Sequence, residues 1–437
     1  MLHKRVTVMG LGRHGGGVAA ARYLAEQGAR VTVTDLADEQ ALAASLAQLN
    51  DVGVERFTLG RHVANDFTTA DAVIVNPAVR PDDRWVRLAR EAGVAITSEI
   101  ELFLRACPAT VIGVTGSNGK STTAAMTADC LRAAGRRAFL GGNIGRSLLP
   151  LVHSLRADDL VVLELSSFQL AWLNDDSPRP EIAAITNFAM NHLDWHGTVD
   201  SYRAAKQRIA DRAWTKQIVL GPLDEAWRRW AHAQAEEVVT VVPDDLPKLR
   251  LPGKHNRRNA ALAVEVASAA GCDRQAALAA ITEFAGLPHR LEMIGTADRR
   301  KFINDSQATT PEATIAALQS LDAPLRLLVG GGDKGADWRG LARMIVRHAA
   351  SAACYGQTGE TIRASILAER AGFPARCFAT LQDAASWQWE VSRPGDCLLL
   401  SPACSSLDQY ADYAQRAADF GEFLENVAGR SPECRDI

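Results

Sequence analysis

Residues 113–122 read Gly-Val-Thr-Gly-Ser-Asn-Gly-Lys-Ser-Thr, which is the strongest local signal in the sequence. An apolar, β-branched run leads into it, and the helix-like run from Ala124 to Ala134 follows it. Glycines let backbone N–H groups turn towards a phosphate, and the start of a helix adds partial positive charge. We therefore predict a strand, a phosphate loop and a helix, with Lys120 at the terminal phosphates and Ser121 on Mg²⁺.

The loop is a variant of the usual phosphate-binding pattern, because Val114 stands where the strict pattern has glycine. The alternative interpretation is a glycine-rich turn with an exposed lysine. The strand, loop and helix context favours nucleotide binding, and the predicted ATP-binding residues of the loop are Gly116, Ser117, Asn118, Gly119, Lys120, Ser121 and Thr122.

On both sides of the loop, short β-branched runs alternate with glycine-marked turns and helical patterns. Apolar strands without alternation, spaced by helices, indicate mainly parallel sheets that are covered on both faces. The predicted class is therefore α/β. Separate sheet nuclei near Val6, Val111 and Phe302 predict three domains, at residues 1–107, 108–287 and 288–437, with boundaries at Pro- or Gly-marked segments.

Composition sets broad limits on function. A length of 437 residues corresponds to about three domains. A formal charge of −3 argues against a broad nucleic-acid surface. We expect no signal peptide and no membrane span, since no segment approaches about 20 apolar residues. Eight cysteines without close pairs suggest a reducing compartment, so we expect a cytoplasmic protein without disulfides.

Two further segments follow predicted strands and carry metal-binding residue types. Glu164 ends an apolar strand, where a carboxylate facing a phosphate loop is a natural Mg²⁺ partner. The segment 186–197 contains His192 after another strand end, and a histidine there could bind a metal. A helix-capping carboxylate and a core histidine are the structural alternatives.

The N-terminal glycines support a rival interpretation. Residues 10–15 read Gly-Leu-Gly-Arg-His-Gly after the first strand, and Asp35 ends the second strand 20 residues after Gly15. This spacing is typical of a dinucleotide fingerprint, so an NAD-dependent oxidoreductase is an alternative. A single such motif is weak support, and it does not explain the second phosphate loop.

Taken together and in this order, the three central segments resemble the Mur ligase family of ATP-dependent amide ligases. The resemblance continues through residues 202–206, 255–260, 286–290, 304–309, 331–334 and 400–409, and it is strongest to the glutamate-adding members. It implies a Rossmann-like N-terminal domain for a UDP sugar, a central P-loop ATPase domain and a Rossmann-like C-terminal domain for the amino acid. The implied substrates are UDP-N-acetylmuramoyl-L-alanine, glutamate and ATP, and the implied intermediate is an acyl phosphate.

The resemblance also implies roles for individual residues. Ser121 and Glu164 would hold one Mg²⁺, while His192 and Lys206, the latter as a carbamate, would serve a second; Lys120, His192 and Lys206 are the expected catalytic residues. A solvated helix lysine is the alternative for Lys206. The remaining assignments are Asn256, Asn259, Arg290 and Asp305 to ATP; Thr309, Lys334, Ser406 and Tyr413 to the amino acid; and Gly12, Arg13, His14, Gly15, Thr34, Asp35, Asn143, Ser166 and Gln169 to the UDP sugar.

The sequence departs from the family pattern at several positions. Gln307 replaces a lysine of the family, which removes a positive charge beside the phosphate and acceptor site. Asn191 replaces an acid that often precedes the metal histidine of the family, and Tyr413 replaces another aromatic residue. The three consecutive glycines at 15–17 make a looser loop than the one common in the family. A ligase for L-glutamate or another amino acid is therefore a further alternative. From a different class, a non-catalytic nucleotide-binding regulator that retains the fold is another. We expect a monomer, because one chain carries a complete set of site residues.

Overall fold

The computed structural model describes residues 2–12, 15–242, 246–251, 253–333 and 336–429. The chain divides into two compact units. The first contains the residues up to Leu249 together with Arg257–Phe284, and the second contains Arg250–Asn256 together with the residues from Ala285 onward. The first unit holds two β-sheets and the second holds one. The domain boundaries near residues 107 and 287 stay predictions.

The N-terminal sheet has five parallel strands in the order β3-β2-β1-β4-β5. Its strands are β1 (Arg5–Met9), β2 (Arg30–Asp35), β3 (Arg56–Leu59), β4 (Ala72–Val75) and β5 (Ala95–Thr97). The helices between and after them are α1 (Gly16–Glu26), α2 (Glu39–Ala47), α3 (Ala64–Thr68), α4 (Arg84–Glu91) and α5 (Glu99–Ala106).

The strands β1 and β2 are not the expected continuous apolar runs, because valine and threonine alternate along them. Val6 and Val31 point into the main core, whereas Thr7 and Thr34 are buried on the opposite face. Only the five-residue helix α3 follows β3, and the Thr7 hydroxyl donates to its Asp66 carbonyl oxygen at 2.5 Å. Threonine is tolerated there because its hydroxyl has a partner.

A small second core lies on that opposite face of the N-terminal sheet. It contains Phe67, Val73 and Val86, and it is completed by Trp172, which belongs to the central part of the chain and is 5% exposed. The main core, to which Val6 and Val31 belong, is also continuous across both sheets of the first unit. The two sheets therefore share buried apolar surface, which is the main stabilising contribution in folding.

The central sheet has six parallel strands in the order β11-β10-β9-β6-β8-β7. The strands are β6 (Thr110–Thr115), β7 (Ala138–Gly142), β8 (Leu160–Glu164), β9 (Ile182–Ile185), β10 (Gln217–Leu220) and β11 (Glu237–Thr240). The helices are α6 (Lys120–Ala133), α7 (Ser167–Ala171), α8 (Leu193–His196), α9 (Val199–Gln207), α10 (Glu225–Gln234), α11 (Lys254–Ala269) and α12 (Arg274–Glu283), with a 3-10 turn at Leu149–Ser154.

The sheet of the second unit has the order β12-β13-β17-β14-β15-β16, and only the pair β12–β13 is antiparallel. Its strands are β12 (Glu292–Ala297), β13 (Arg300–Asn304), β14 (Leu325–Gly330), β15 (Ala349–Tyr355), β16 (Ala375–Phe378) and β17 (Cys397–Leu400). Its helices are α13 (Pro311–Leu318), α14 (Arg339–His348), α15 (Gly359–Glu369), α16 (Leu381–Val391) and α17 (Tyr413–Ala428). The predicted class, mainly parallel α/β sheets, is confirmed.

Across the part of the chain that the structure describes, no helix is both long and apolar enough to cross a membrane.

Candidate active site

The predicted catalytic residues follow three neighbouring strands of the central sheet. Strand β6 lies between β8 and β9, and the three strands end at Thr115, Glu164 and Ile185. Because parallel strands share one carboxyl edge, the phosphate loop, Glu164 and the segment before His192 emerge there together. Ligands of open α/β sheets bind at such an edge, so this is the candidate active site.

The phosphate loop requires glycine at two positions. Gly116 has φ 146°, and a Cβ atom there would lie 1.9 Å from Thr186 Oγ1. Gly119 has φ 79° and caps the N-terminus of α6, and a Cβ atom there would lie 2.3 Å from Asn259 Oδ1. The structure therefore places Asn259, which the resemblance assigns to ATP, against the loop itself.

The segment after β9 holds the loop in shape. The Ser117 N–H donates to the Asn187 carbonyl oxygen at 3.0 Å, and the Asn118 N–H donates to Asn187 Oδ1 at 3.0 Å. The Ser117 hydroxyl donates to the Ala189 carbonyl oxygen at 2.8 Å and lies 3.0 Å from the Tyr202 hydroxyl. Lys120 begins α6, and its Nζ donates to the Ser117 carbonyl oxygen at 3.0 Å. Thr122, on the same helical turn, is half-buried.

Lys206 is buried against the underside of the loop. It is 1% exposed, its Nζ donates to the Gly116 carbonyl oxygen at 2.7 Å, and Nζ lies 4.7 Å from the centre of the Tyr202 ring. Burial, reinforced by the Lys120 charge, holds the pKa of Lys206 well below its usual value, against the opposing effect of Glu164. The solvated-lysine alternative is therefore wrong, and the amine is neutral over a wider pH range than an exposed lysine.

Glu164 and Ser121 supply oxygen atoms of the kind that hard cations bind. Glu164 Oε1 accepts from Asn143 Nδ2 at 2.9 Å, and Glu164 Oε2 is buried and has no hydrogen-bond partner among the described residues. A buried carboxylate oxygen without a partner is unfavourable unless a cation or water satisfies it. Ser121, 6% exposed, supplies a hydroxyl oxygen at the start of α6. These oxygen donors fit Mg²⁺.

His192 lies among aromatic rings. It adopts the left-handed backbone conformation with φ 54°, and its backbone N–H donates to Asn191 Oδ1 at 2.9 Å. Its ring centre lies 4.8 Å from that of Phe168. Within the described ranges, no cluster of three or more His, Cys, Asp or Glu side chains could hold a metal.

In the N-terminal sheet, Asp35 bonds to the glycine turn, the turn after β1 that contains Gly10, Gly12 and Gly15. Its Oδ2 accepts from the Gly12 N–H at 3.2 Å and its Oδ1 from the Ala37 N–H at 2.9 Å. Thr34 is fully buried, and its hydroxyl lies 2.7 Å from His62 Nδ1. Gly15 caps the N-terminus of α1 with φ 85°. Arg13 and His14, predicted at the UDP sugar, lie outside the described residues.

Three other residues assigned to the UDP sugar bond to protein groups at the central sheet. The Asn143 N–H donates to the Glu164 carbonyl oxygen at 2.8 Å. Ser166 and Gln169 form a capping box at the start of α7, in which Gln169 Oε1 accepts from the Ser166 N–H and hydroxyl, each at 3.0 Å. Both side chains are buried, and their contact with a muramoyl group stays a prediction.

Sequence reasoning missed Asn76, which follows β4 at the carboxyl edge of the N-terminal sheet. Its Nδ2 donates to the Gly10 carbonyl oxygen at 3.3 Å, and a Cβ atom at Gly10 would lie 2.8 Å from Asn76 Cβ. The available signal was a polar residue directly after an apolar strand, beside the strand that carries the glycine turn.

In the second unit, Asp305 is held by its own surroundings. Its Oδ1 accepts from the Leu291 N–H at 3.1 Å and its Oδ2 from the Ser401 hydroxyl at 2.7 Å. Burial raises the pKa of Asp305 to about 7, against these two hydrogen bonds and the Arg290 charge. Arg290 pairs across a β-bridge with Leu287. The ribose contact of Asp305 stays a prediction, as do the ATP contacts of Arg290 and Asn256.

Three of the four residues assigned to the amino acid lie on segments that Arg416 joins. This arginine is fully buried; its guanidinium donates to the Ser306 hydroxyl and carbonyl oxygens at 3.0 and 2.8 Å, and to the Cys404 and Ser405 carbonyl oxygens at 3.2 Å each. The first segment continues to Gln307 and Thr309, the second to Ser406, and Tyr413 begins the helix that carries Arg416. Lys334 lies outside the described residues. Sequence reasoning missed Arg416.

Known proteins are similar to this chain in its N-terminal, central and C-terminal regions. Residues 4–98 match a family model described as "Mur ligase MurD-like, N-terminal domain", residues 114–246 the Mur ligase middle domain, and residues 289–404 the "Mur ligase, glutamate ligase domain". The chain belongs to the Mur ligase family. Within the family, the match of its N-terminal region is to the MurD-like type.

Full-length relatives agree with this assignment. The UDP-N-acetylmuramoylalanine–D-glutamate ligase of Geotalea uraniireducens is 35% identical, with 98% of this chain and 100% of that protein covered. The enzyme of the same name from Roseiflexus sp. is 36% identical, covering 97% and 98%. The solved UDP-N-acetylmuramate-alanine ligase of Thermotoga maritima shares the fold, with a TM-score of 0.64, 22% identity and coverage of 97% and 100%.

Proposed function

We propose that this protein is an ATP-dependent, ADP-forming ligase that joins glutamate, in its D form, to UDP-N-acetylmuramoyl-L-alanine during peptidoglycan precursor synthesis. The full-length relatives bear that activity in their names. The observation that carries the proposal is the set of groups around one phosphate loop: the Lys120 cation, the buried Lys206 amine and the Glu164 carboxylate.

The reaction must bring two anions together. The alanyl carboxylate attacks the γ-phosphorus of ATP, the bond to the β,γ-bridging oxygen breaks, and ADP leaves. The glutamate amine then attacks the acyl carbon and displaces inorganic phosphate. Charge repulsion opposes the first step, so fixed positive groups at the transferred phosphoryl lower its barrier. Lys120, at the start of α6, is the residue of the loop that supplies such a charge.

Magnesium fits the donors at the loop, and we propose two ions. Ser121 and Glu164 would hold the first, and His192 with a carbamate on Lys206 would hold or orient the second. The ions would neutralise phosphate charge. Carbamate formation needs a neutral amine, and the lowered pKa of Lys206 favours that form. The carbamate would place an anion at this buried position.

The remaining assignments divide by ligand. For ATP we propose the phosphate loop with Asn256, Asn259, Arg290 and Asp305. For the UDP sugar we propose the turn at Gly12 and Gly15 with Arg13, His14, Thr34 and Asp35, and for its muramoyl part Asn143, Ser166 and Gln169. For glutamate we propose Thr309, Lys334, Ser406 and Tyr413, because a lysine and hydroxyls suit a ligand with two carboxylates.

Gln307 supports a second candidate for the acceptor. It is half-buried next to Ser306, and its amide is neutral where the family pattern has a lysine. A neutral amide binds a carboxylate or acyl phosphate less strongly than a cation does. An acceptor other than D-glutamate, such as L-glutamate or another amino acid, is therefore the alternative.

The test is phosphate release in the presence of ATP, Mg²⁺ and UDP-N-acetylmuramoyl-L-alanine, with a panel of D- and L-amino acids. We expect D-glutamate to stimulate release and to appear in the UDP-linked product. Stimulation by L-glutamate or another amino acid alone would replace the acceptor and leave the ligase chemistry intact. If no amino acid stimulates release, the proposal fails. We also propose a monomer that acts in the cytoplasm, which sedimentation and cell fractionation would test.

A further inference from the structure

The 76–79 loop, which comprises residues 76–79 after β4, packs against the glycine turn of the N-terminal sheet. Asn76 donates from its backbone N–H to the Met9 carbonyl oxygen at 3.0 Å and from Nδ2 to the Gly10 carbonyl oxygen at 3.3 Å. Its Oδ1 accepts from the Ala78 N–H at 3.0 Å. Any shift of this loop would therefore move the turn that is proposed to hold the UDP sugar.

Two tryptophans from the central part of the chain hold the other side of the 76–79 loop. Trp195 Nε1 donates to the Ala78 carbonyl oxygen at 3.2 Å, and Trp172 Nε1 donates to the Val79 carbonyl oxygen at 3.2 Å. Adjacent carbonyl groups thus each receive an indole N–H from a different segment. Indole nitrogens only donate, so each bond has a fixed direction.

Trp195 also belongs to the aromatic cluster beside the phosphate loop. Its ring centre lies 5.1 Å from that of Phe168 and 4.5 Å from that of His196. The Phe168 ring in turn lies 4.8 Å from the His192 ring, and His196 Nε2 lies 2.9 Å from the Ser167 hydroxyl. One side chain therefore contacts both the segment that carries His192 and the loop that supports the glycine turn.

We infer that Trp195 is a positioning residue that fixes the separation between the two ends of the UDP-sugar site. The inference rests on the proposed function, in which one substrate spans the glycine turn and the start of α7, where Ser166 and Gln169 lie beside Phe168. A substrate held at both ends binds well only when the two ends are correctly spaced. Trp172 secures the same loop from within the core of the N-terminal sheet.

The test compares Trp195→Phe with Trp214→Phe. Phenylalanine keeps an aromatic ring beside Phe168 but removes the N–H that bonds to Ala78, whereas Trp214 is 44% exposed and serves as the matched control. Loss of a hydrogen bond of ordinary strength corresponds to roughly a two- to twelvefold change in an equilibrium constant. We expect the KM of Trp195→Phe for UDP-N-acetylmuramoyl-L-alanine to rise by this two- to twelvefold factor. Its KM for ATP and its kcat should stay unchanged, and Trp214→Phe should equal wild type in all three constants.

Calorimetric binding of the same UDP sugar without ATP provides an independent measurement. We expect Trp195→Phe to weaken binding by the same factor, and Trp172→Phe serves as the second variant if Trp195→Phe does not fold. An unchanged KM for the UDP sugar, or equal increases for both substrates, overturns the inference. If wild type shows no turnover, the proposed reaction is wrong, and calorimetry still decides whether Trp195 positions the UDP sugar.

Discussion

Asn143 holds Glu164 at two points. Its backbone N–H donates to the Glu164 carbonyl oxygen at 2.8 Å, and its Nδ2 donates to the carboxylate Oε1 at 2.9 Å. The carboxylate is thereby oriented, and its Oε2 has no hydrogen-bond partner among the described residues. Asn143 therefore has a role towards the proposed metal site in addition to its proposed contact with the muramoyl group.

Replacing Asn143 by alanine should weaken the apparent affinity of the enzyme for magnesium. Groups that orient metal ligands typically contribute about 10- to 100-fold in metal affinity or activity. We expect the half-saturating Mg²⁺ concentration to rise within that range in a titration of phosphate release. An unchanged magnesium curve would show that Glu164 does not need this orientation.

Lys206→Ala should lose most activity and regain part of it with added short carboxylic acids, which can take the place of the carbamate. The matched control is Lys216→Ala, because Lys216 lies at the surface in an ion pair with Glu181. Turnover would be compared with and without formate or acetate. Full activity of Lys206→Ala in the absence of added acid would contradict the carbamate role.

Gly116→Ala should disrupt the phosphate loop. The new Cβ atom would overlap Thr186 Oγ1, and a φ of 146° is strained for any side chain, by about 1–3 kcal/mol. We expect a lower melting temperature and loss of the stabilisation that ATP gives. Gly340→Ala is the control, since it lies in helix α14 with no atom near its Cβ position, and alanine there should be neutral or stabilising.

The buried carboxyl of Asp305 predicts a pH dependence of stability. Its pKa is about 7 in the folded chain and near 4 when unfolded, so the folded state binds more protons between these values. The free energy of unfolding should therefore fall as pH rises from about 4 to 7, by up to about 1.4 kcal/mol per pH unit from this group.

Urea unfolding of wild type and Asp305→Asn at several pH values measures this contribution. The variant should show a shallower slope between pH 4 and 7. Asp337→Asn is the control, because Arg339 lowers the pKa of the exposed Asp337 carboxyl to about 2, below the tested range. Equal slopes in all three proteins would place the Asp305 titration outside this window.

Gln307→Lys should strengthen binding of the amino-acid substrate. A charge-assisted hydrogen bond exceeds a neutral one by roughly 1 kcal/mol, which corresponds to about a fivefold lower KM for glutamate. The KM for ATP is the internal control. A KM for glutamate that stays the same or rises would indicate that the residue at 307 does not face the acceptor.

The phosphate loop and its neighbouring strand ends could be predicted from sequence, because their chemistry is local. Glycine, lysine and serine in a fixed spacing determine a loop, and apolar runs determine the strands on either side of it. The class of fold followed from the same repetition of strands and helices.

The residues that sequence missed act across long separations. Arg416 bonds to Ser306 over 110 positions, and Trp195 reaches Ala78 over 117. No local pattern marks such partners, since a buried arginine and a surface arginine look alike in a sequence. The alternation in β1 and β2 depends on which helix covers each face of the sheet, and that is a tertiary property that a short apolar run does not encode.

The insertion of Trp172 into the core of the N-terminal sheet has a practical consequence. A fragment ending near residue 107 would lack this indole and expose a hollow lined by Phe67, Val73 and Val86. Losing a buried aromatic side chain typically weakens a core by about 3–5 kcal/mol, which is a large part of the roughly 5–15 kcal/mol that stabilises a folded domain. Ligand screening on an isolated N-terminal piece would therefore require the piece to be extended past the tryptophan.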